Sequence, residues 1–239
     1  MKIRLDHLLV EKRLTESRSQ AENYIRLGKV IVNGIKQTKP GFFVDEDSKI
    51  EILQNSQYVS RAGLKLESVA KILKLDFRDK IVLDVGSSTG GFSDYTLQNG
   101  AQKVIAVDVG TNQLHPKLRL NSKIELHEKT DIRNFKTKDS IDIVVIDVSF
   151  ISLRDILPSV VKLVSKNTQI VAMVKPQFEA GRHNTIRGVV KNNSLRRKIM
   201  QDFENWCKIN NLFVVNKRDS KIKGAKGNQE RFYILKKTV

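Results

Sequence analysis

The sequence predicts a small α+β unit followed by a larger, doubly wound, Rossmann-like α/β sheet. Three observations carry that reading. From Ser60 onward, short apolar runs alternate with amphipathic helical stretches, the pattern of a parallel sheet covered on both faces. Within this region the run Ile81–Val85 breaks into a glycine-rich turn and then into a helical pattern from about Gly90. Ahead of it, two short helical segments precede Asn33-Gly34, the strongest two-residue hairpin signal. The predicted boundaries are residues 1–55 for the first domain, 56–59 for a linker and 60–239 for the second.

Composition narrows the class. A chain of 239 residues, 40% of them hydrophobic, can bury a true core. The formal net charge of +17 points to a polyanionic partner. The excess is uneven: residues 1–59 carry ten Lys/Arg against eight Asp/Glu, whereas residues 175–239 carry sixteen against five. A single cysteine, Cys207, excludes a disulfide framework and fits a reducing compartment. The histidines lack ligand spacing, so no metal site is expected. No run reaches the ~18 apolar residues of a membrane span, and Met1–Asp6 lacks the apolar core of a signal peptide. A cytoplasmic protein is expected.

In the first unit, Leu5, Leu8 and Leu9 form one helical face that ends near Arg13-Leu14. Thr15 or Ser17 caps a second helix, Arg18 to Leu27, with Ala21, Tyr24 and Ile25 inward, and Gly28 closes it in the left-handed position. Val30–Val32 and Ile35 flank the hairpin turn, and Lys49–Leu53 adds a strand. The segments Arg4-Leu5-Asp6, Ser17-Arg18-x-x-Ala21, Gly28-Lys29-Val30-x-Val32-Asn33-Gly34 and Lys39-Pro40 resemble the RNA-binding domain first seen in ribosomal protein S-four. That resemblance implies that Arg4, Arg18 and nearby lysines, Lys39 among them, grip RNA phosphates, which positions RNA without reading its sequence.

Ser60 caps a helix whose Leu64, Val69, Ile72 and Leu73 are expected to face inward, with Arg61 and Lys65 four residues apart on one face. Ile81–Val85 reads as a buried parallel strand, followed by Gly86, Gly90 and Gly91, which let the main chain lie close to a ligand. Lys103–Val107 is the next strand, and Asp108 at its end suits a ribose diol. The spacing Asp84-x-Gly86-x-x-x-Gly90-Gly91 differs from the G-x-G-x-x-G of dinucleotide folds. It fits better the loop of enzymes that use S-adenosylmethionine (AdoMet), a cofactor with no phosphate to cradle. A purely structural turn is the bland alternative.

Lys123–His127 forms a third strand, after which Asp131 is placed to meet an adenine amino group, with Arg133 beside it as a candidate RNA contact together with Arg61. Ile141–Asp147 is a central strand, Leu153–Val164 a helix, Gln169–Val174 a fifth strand ending at Lys175, and Ser194–Ile209 a long helix. Leu212–Lys217 and Arg231–Leu235 flank a basic loop. Sites in such sheets lie at the carboxyl ends of the strands.

The strand ends constrain the reaction. Asp147-Val148-Ser149-Phe150 does not match the Asn/Asp-Pro-Pro-aromatic turn of base amino methylation. Carbon methylation of cytosine needs a nucleophilic cysteine, and Cys207 sits mid-helix. Asp147 and Lys175 instead end neighbouring strands, where a Lys-Asp pair can act on a ribose 2′-hydroxyl by favouring its alkoxide or taking its proton.

Five ordered segments carry a second resemblance: Ser60-Arg61-x-x-x-Lys65-Leu66, Gly86-x-Ser88-Thr89-Gly90-Gly91-Phe92, Asp147-x-Ser149-Phe150-Ile151-Ser152-Leu153, Val174-Lys175-Pro176-Gln177-Phe178-Glu179 and Gly227-Asn228-x-Glu230. With the N-terminal unit they resemble the TlyA family, whose members are also called haemolysins and whose second domain is similar to FtsJ-like ribose methyltransferases. The resemblance covers essentially the whole chain. It implies 2′-O-methylation of cytidine in large-subunit, and in some members also small-subunit, ribosomal RNA. It places a catalytic Lys-Asp-Lys-Glu tetrad on Lys65, Asp147, Lys175 and Glu230, and adds Ser88, Thr89 and Phe92 to the cofactor loop. The Arg-Ala-Trp-Val linker of some members is replaced by Ser56-Gln57-Tyr58-Val59. Short ends resemble the form that acts mainly on the large subunit. The rival readings are a binding factor without catalysis, which predicts a damaged loop or tetrad, and a pore-forming haemolysin, which needs an export signal and an inserting amphipathic element.

Overall fold

The strand Ile81–Val85 (β6) lies in the interior of a seven-stranded sheet, and four of its five residues are fully buried, as a strand with neighbours on both sides and both faces covered requires. The computed structural model describes residues 2–15, 17–26, 28–53, 57–181, 185 and 187–238. The chain divides into two compact units, Met1–Arg61 and Ala62–Val239.

In the first unit, Lys2–Arg4 (β1) leads into Leu5–Glu11 (α1), followed by Arg18–Arg26 (α2). Val30–Val32 (β2), Ile35–Gln37 (β3) and Ile50–Ile52 (β5) form a three-stranded antiparallel sheet in the order β3-β2-β5, and Phe43–Asp45 (β4) pairs with β1. Asn33 and Gly34 both have positive φ (48° and 79°), the geometry a tight hairpin turn requires. Leu5, Leu8, Leu9, Ala21, Ile25, Val30, Val32 and Val44 form its core. The pairing of β1 with β4 is not legible in the sequence, since three-residue strands carry too little periodicity. The expected end of α2 at Leu27 lies outside the described residues, as does Ser56 of the expected linker. Tyr58 and Val59 are buried, and Val59 O accepts a hydrogen bond from Asn23 Nδ2, so these two residues do not form a solvated tether.

The second unit begins with Arg61–Leu73 (α3), then β6, Gly91–Gln98 (α4), Lys103–Val107 (β7), Pro116–Arg119 (α5), Ile124–His127 (β8) and Ile143–Ile146 (β9). Leu153–Leu163 (α6), Gln169–Val174 (β10), Pro176–Glu179 (α7), Asn193–Ile209 (α8), Leu212–Asp219 (β11) and Arg231–Lys237 (β12) complete it. The sheet order is β11-β12-β10-β9-β6-β7-β8. Strands β6 to β10 run parallel, whereas β12 inserts antiparallel between β10 and β11. The sheet is therefore mixed, and the antiparallel pair returns Glu230, just ahead of β12, to the edge where the parallel strands end: Arg231 pairs with Val174. One helix face differs from expectation. Leu66, Val69, Ala70 and Leu73 are buried with Lys65, while Ile72 is 43% exposed. The buried stripe is rotated toward Lys65 because that lysine faces inward to an acidic partner.

Candidate active site

Two cavities open at the carboxyl ends of the parallel strands and share one wall. The first, about 540 Å³, is lined by Gly86, Ser88, Asp108, Gln113, Asp131 and Asp147 among others. The second, about 780 Å³, includes Lys65, Lys175, Phe178, Gly224, Lys226 and Glu230. Ser149, Phe150 and Ile151 belong to both linings, so a group bound in one cavity meets a group bound in the other across the turn that follows β9.

The first cavity is built by the β6–α4 turn. Gly86 has φ +80°, and a Cβ there would lie 3.0 Å from Asp147 O and 3.0 Å from Val148 Cγ1, so only glycine fits between the two strand ends. Gly90 is likewise left-handed (φ +89°) and is enclosed by Leu114 and Leu118. The Asp108 carboxylate accepts from Ser88 N (2.8 Å) and Gly110 N (2.7 Å), which fixes its orientation and leaves lone pairs for a diol. Asp131 lines the same cavity but is held by the Arg133 guanidinium at 2.6 Å, and these hydrogen bonds keep its carboxyl below the usual range.

Other members of the expected cofactor set lie behind this surface. Asp84 is buried, with Oδ2 accepting from Ser93 Oγ at 2.6 Å and Oδ1 without a hydrogen-bond partner. Burial pushes its pKa up to about 7 against the Ser93 hydrogen bonds, and the Asp147 and Asp108 charges push the same way. Thr89 contributes its carbonyl, which accepts from His115 N. Gly91 is the first residue of α4. Phe92 turns into the core, 5.9 Å from the Phe232 ring, so its side chain packs the sheet and does not line the cavity.

Beside the shared wall the expected tetrad forms two ion pairs, with Lys65, Lys175 and Glu230 lining the second cavity and Asp147 the first. Lys175 Nζ lies 2.6 Å from Asp147 Oδ1 and donates to Ser149 Oγ at 2.8 Å. Lys65 Nζ lies 2.5 Å from Glu230 Oε2. All four side chains are 14% exposed or less, so their charges are only weakly screened. Lys175 reaches this point because β10 ends there and Pro176 at the start of α7 prevents the strand from continuing. Ser149 was not assigned a role from sequence, and Glu179 was not either: it caps the start of α6, accepting from Ser152 Oγ (2.6 Å) and Leu153 N (2.8 Å), and so braces the turn that carries Asp147 to Phe150. Both stand in segments that carry the family resemblance, but no periodicity or spacing shows what either side chain does. Phe150, left-handed at φ +67° and 92% exposed, stands against Phe178 with ring centroids 5.3 Å apart.

Cys207 is fully buried in α8, and burial pushes its thiol up to about 12, which keeps it protonated and unreactive. Among the described residues no group of three His, Cys, Asp or Glu side chains could hold a metal ion. No helix among them is long and apolar enough to cross a membrane.

Of the expected RNA contacts in the first unit, Arg4 and Arg18 converge on buried Asp6, at 2.7 and 3.1 Å, while their own side chains remain 38% and 53% exposed. Lys39 is exposed and Arg61 half-buried. In the second unit Arg133 is exposed at the first cavity, with its guanidinium on Asp131.

Comparison with known proteins agrees with this architecture. The FtsJ-like methyltransferase family matches residues 58–238, and the S4 domain matches residues 3–50. The chain is 41% identical to Hemolysin A of Brachyspira hyodysenteriae, covering 95% of this chain and 97% of that one. It is 39% identical to the 23S rRNA (cytidine-2′-O)-methyltransferase TlyA of Campylobacter jejuni, over 94% and 96% of the two chains. A solved structure described as a hemolysin from Streptococcus thermophilus superposes with a TM-score of 0.78 at 39% identity, covering 99% of this chain and 89% of that one. By these family matches and near full-length identities, the chain belongs to the TlyA/hemolysin A family of FtsJ-like methyltransferases.

Proposed function

We propose that this protein transfers a methyl group from AdoMet to the 2′-hydroxyl of a cytidine in ribosomal RNA, with the large subunit as substrate. The observation that carries the reading is Lys175, which lines the second cavity while paired with Asp147 of the first cavity and with Ser149 of the shared wall. The RNA and nucleoside assignments rest on the relative from C. jejuni and on the S4 domain.

The first cavity fits AdoMet on its own chemistry. Asp108 is oriented for a ribose diol, and Asp131 stands further along the same wall. Gly86, packed closely against Asp147 and Val148, also lines this cavity. Besides burial, the charges of Asp147 and Asp108 both raise the Asp84 pKa, the mark of a negative local potential that suits a cationic sulfonium. Bound there, AdoMet supplies an electrophilic methyl carbon that needs no further activation.

The chain's own residues must then prepare a weak nucleophile. Lys175, as the free amine, would take the proton of the 2′-hydroxyl, leaving the oxygen as the nucleophile for the methyl group that a bound AdoMet would supply. Asp147 and Ser149 fix the Lys175 nitrogen so that its remaining valence faces the second cavity. Lys65 and Glu230 also line that cavity and would hold the ribose in place, so that alignment supplies much of the rate.

The test is tritiated methyl transfer to unmethylated large and small ribosomal subunits, with AdoMet binding measured in parallel by calorimetry. The wild-type protein should label a ribose-methylated cytidine in the large subunit. Lys175→Ala should bind AdoMet normally and lose at least ~100-fold in rate, the range for removing a positioned acid–base group. Absence of wild-type label on either subunit overturns the reading.

A further inference from the structure

The connection between β11 and β12 is basic on the outside and polar on the inside, and it runs directly from the second cavity. Gly224 and Lys226 line that cavity, and a Cβ on Gly224 would lie 2.7 Å from Glu230 Oε1. Further along the same connection, Lys217, Arg218, Lys221 and Arg231 line a separate open groove of about 670 Å³. We propose that this loop is a track for the RNA strand flanking the methylated ribose, with Arg218, Lys221 and Lys226 binding successive backbone phosphates. The inference rests on the RNA-methyltransferase reading above and adds a surface to it.

Three observations separate this loop from an ordinary solvated lysine run. Its conformation is fixed from within: Ser220 N donates to Glu230 O (3.0 Å), Gly224 N to Asn228 O (2.9 Å) and Gly227 N to Gly224 O (2.8 Å). The Asn228 side chain, 3% exposed, ties it to Gly188 O and Val190 N. The basic side chains are thus presented by a rigid backbone, which lowers the entropy lost on binding.

The local acid is also already engaged. Asp219 is the one acidic residue between Lys217 and Gln229, and it accepts from Arg196 (2.7 Å) and Arg231 (2.5 Å). Lys217 is held by Glu204 at 2.7 Å. Among the described residues Arg218, Lys221 and Lys226 make no ion pair, and all three are exposed. Finally, position favours RNA: Lys226 lines the cavity assigned to the ribose, and Arg218 and Lys221 line a groove formed by the same connection. Contacts to phosphate of this kind set register and carry no sequence information.

The experiment compares the triple variant Arg218→Ala, Lys221→Ala, Lys226→Ala with a control triple of exposed lysines near the β8 edge, Lys123→Ala, Lys136→Ala, Lys138→Ala. Full-length proteins are tested for filter binding to unmethylated large subunits at 50 to 200 mM salt and for methyl transfer. Each lost phosphate contact removes roughly 0.7–0.9 from the slope of log affinity against log salt, so over that range wild type should lose about 20- to 40-fold more affinity than the track variant. The loss should fall on KM for subunits, rising about tenfold or more at low salt, and the control triple should behave as wild type. A track variant with wild-type KM and salt slope overturns the proposal, as does an equal effect in the control. If wild type binds subunits but transfers no methyl, the catalytic reading fails while the binding comparison still decides the track.

Discussion

Lys65 Nζ and Glu230 Oε2 lie 2.5 Å apart although they come from opposite ends of the methyltransferase unit, the first from α3 and the second from the residue ahead of β12. Both side chains are nearly buried, at 11% and 3% exposure. Removing one partner of such a pair leaves an uncompensated charge, which costs about 3–5 kcal/mol, whereas replacing both is far milder. Glu230→Gln and Lys65→Met should therefore each lower the denaturation midpoint more than the double variant does. Urea unfolding of the four proteins gives the cycle, and additive single effects would show that the pair is not coupled.

Asp108 stands at the proposed nucleoside end of the first cavity. Asp108→Ala removes the acceptor for Ser88 N and Gly110 N as well as the proposed ribose contact. Losing hydrogen bonds to a charged group is worth about 1.5–3 kcal/mol, so AdoMet affinity should fall at least ~10-fold in calorimetry. Circular dichroism of the variant separates loss of affinity from loss of fold.

Asp84 should make stability depend on pH. Its folded pKa, about 7, lies above its unfolded value, so its contribution is greatest at low pH and is lost as pH rises through about 7. Asp84→Asn can still accept from Ser93 but cannot ionise. The melting temperature of the variant relative to wild type should therefore climb between about pH 4 and pH 7 and level off above that. A constant difference across this range would mean that Asp84 does not titrate there.

In the first unit Asp6 determines where two cations point. It is fully buried and receives both Arg4 and Arg18. Burial raises its pKa, but the hydrogen bonds and charges of the two arginines outweigh that, and the net shift is downward. Asp6→Ala frees both guanidiniums and leaves His7 N without its side-chain acceptor. RNA binding by the full-length protein should weaken while AdoMet binding is unchanged, because the cofactor cavity is built only from the second unit. Unchanged RNA affinity would remove Arg4 and Arg18 from the interface.

Much of this protein was legible in its sequence. Strands such as Gln169–Val174 are set by local apolar content, and hairpin geometry at Asn33-Gly34 is set by two residues that tolerate positive φ. Because parallel strands must end on a common edge, Asp84, Asp108, Asp147 and Lys175 were placed near one another by order alone. The sequence did not distinguish which of them face a cavity. Phe92 sits inside a glycine-rich motif yet packs the core against Phe232, and Asp84 lies beneath the loop that it introduces. Ser149 and Glu179 gain their roles only from partners more than twenty residues away.

The sequence by itself determined the two units, the alternation of strands and helices and the chemical types available at the strand ends, since these follow from nearest-neighbour propensity and the period of the apolar residues. Tertiary structure decided the rest: the antiparallel insertion of β12 beside β10, the pairing of Lys65 with Glu230, and the common wall of the two cavities. Those depend on long-range register, and register is set only when the buried faces of distant elements are packed against one another.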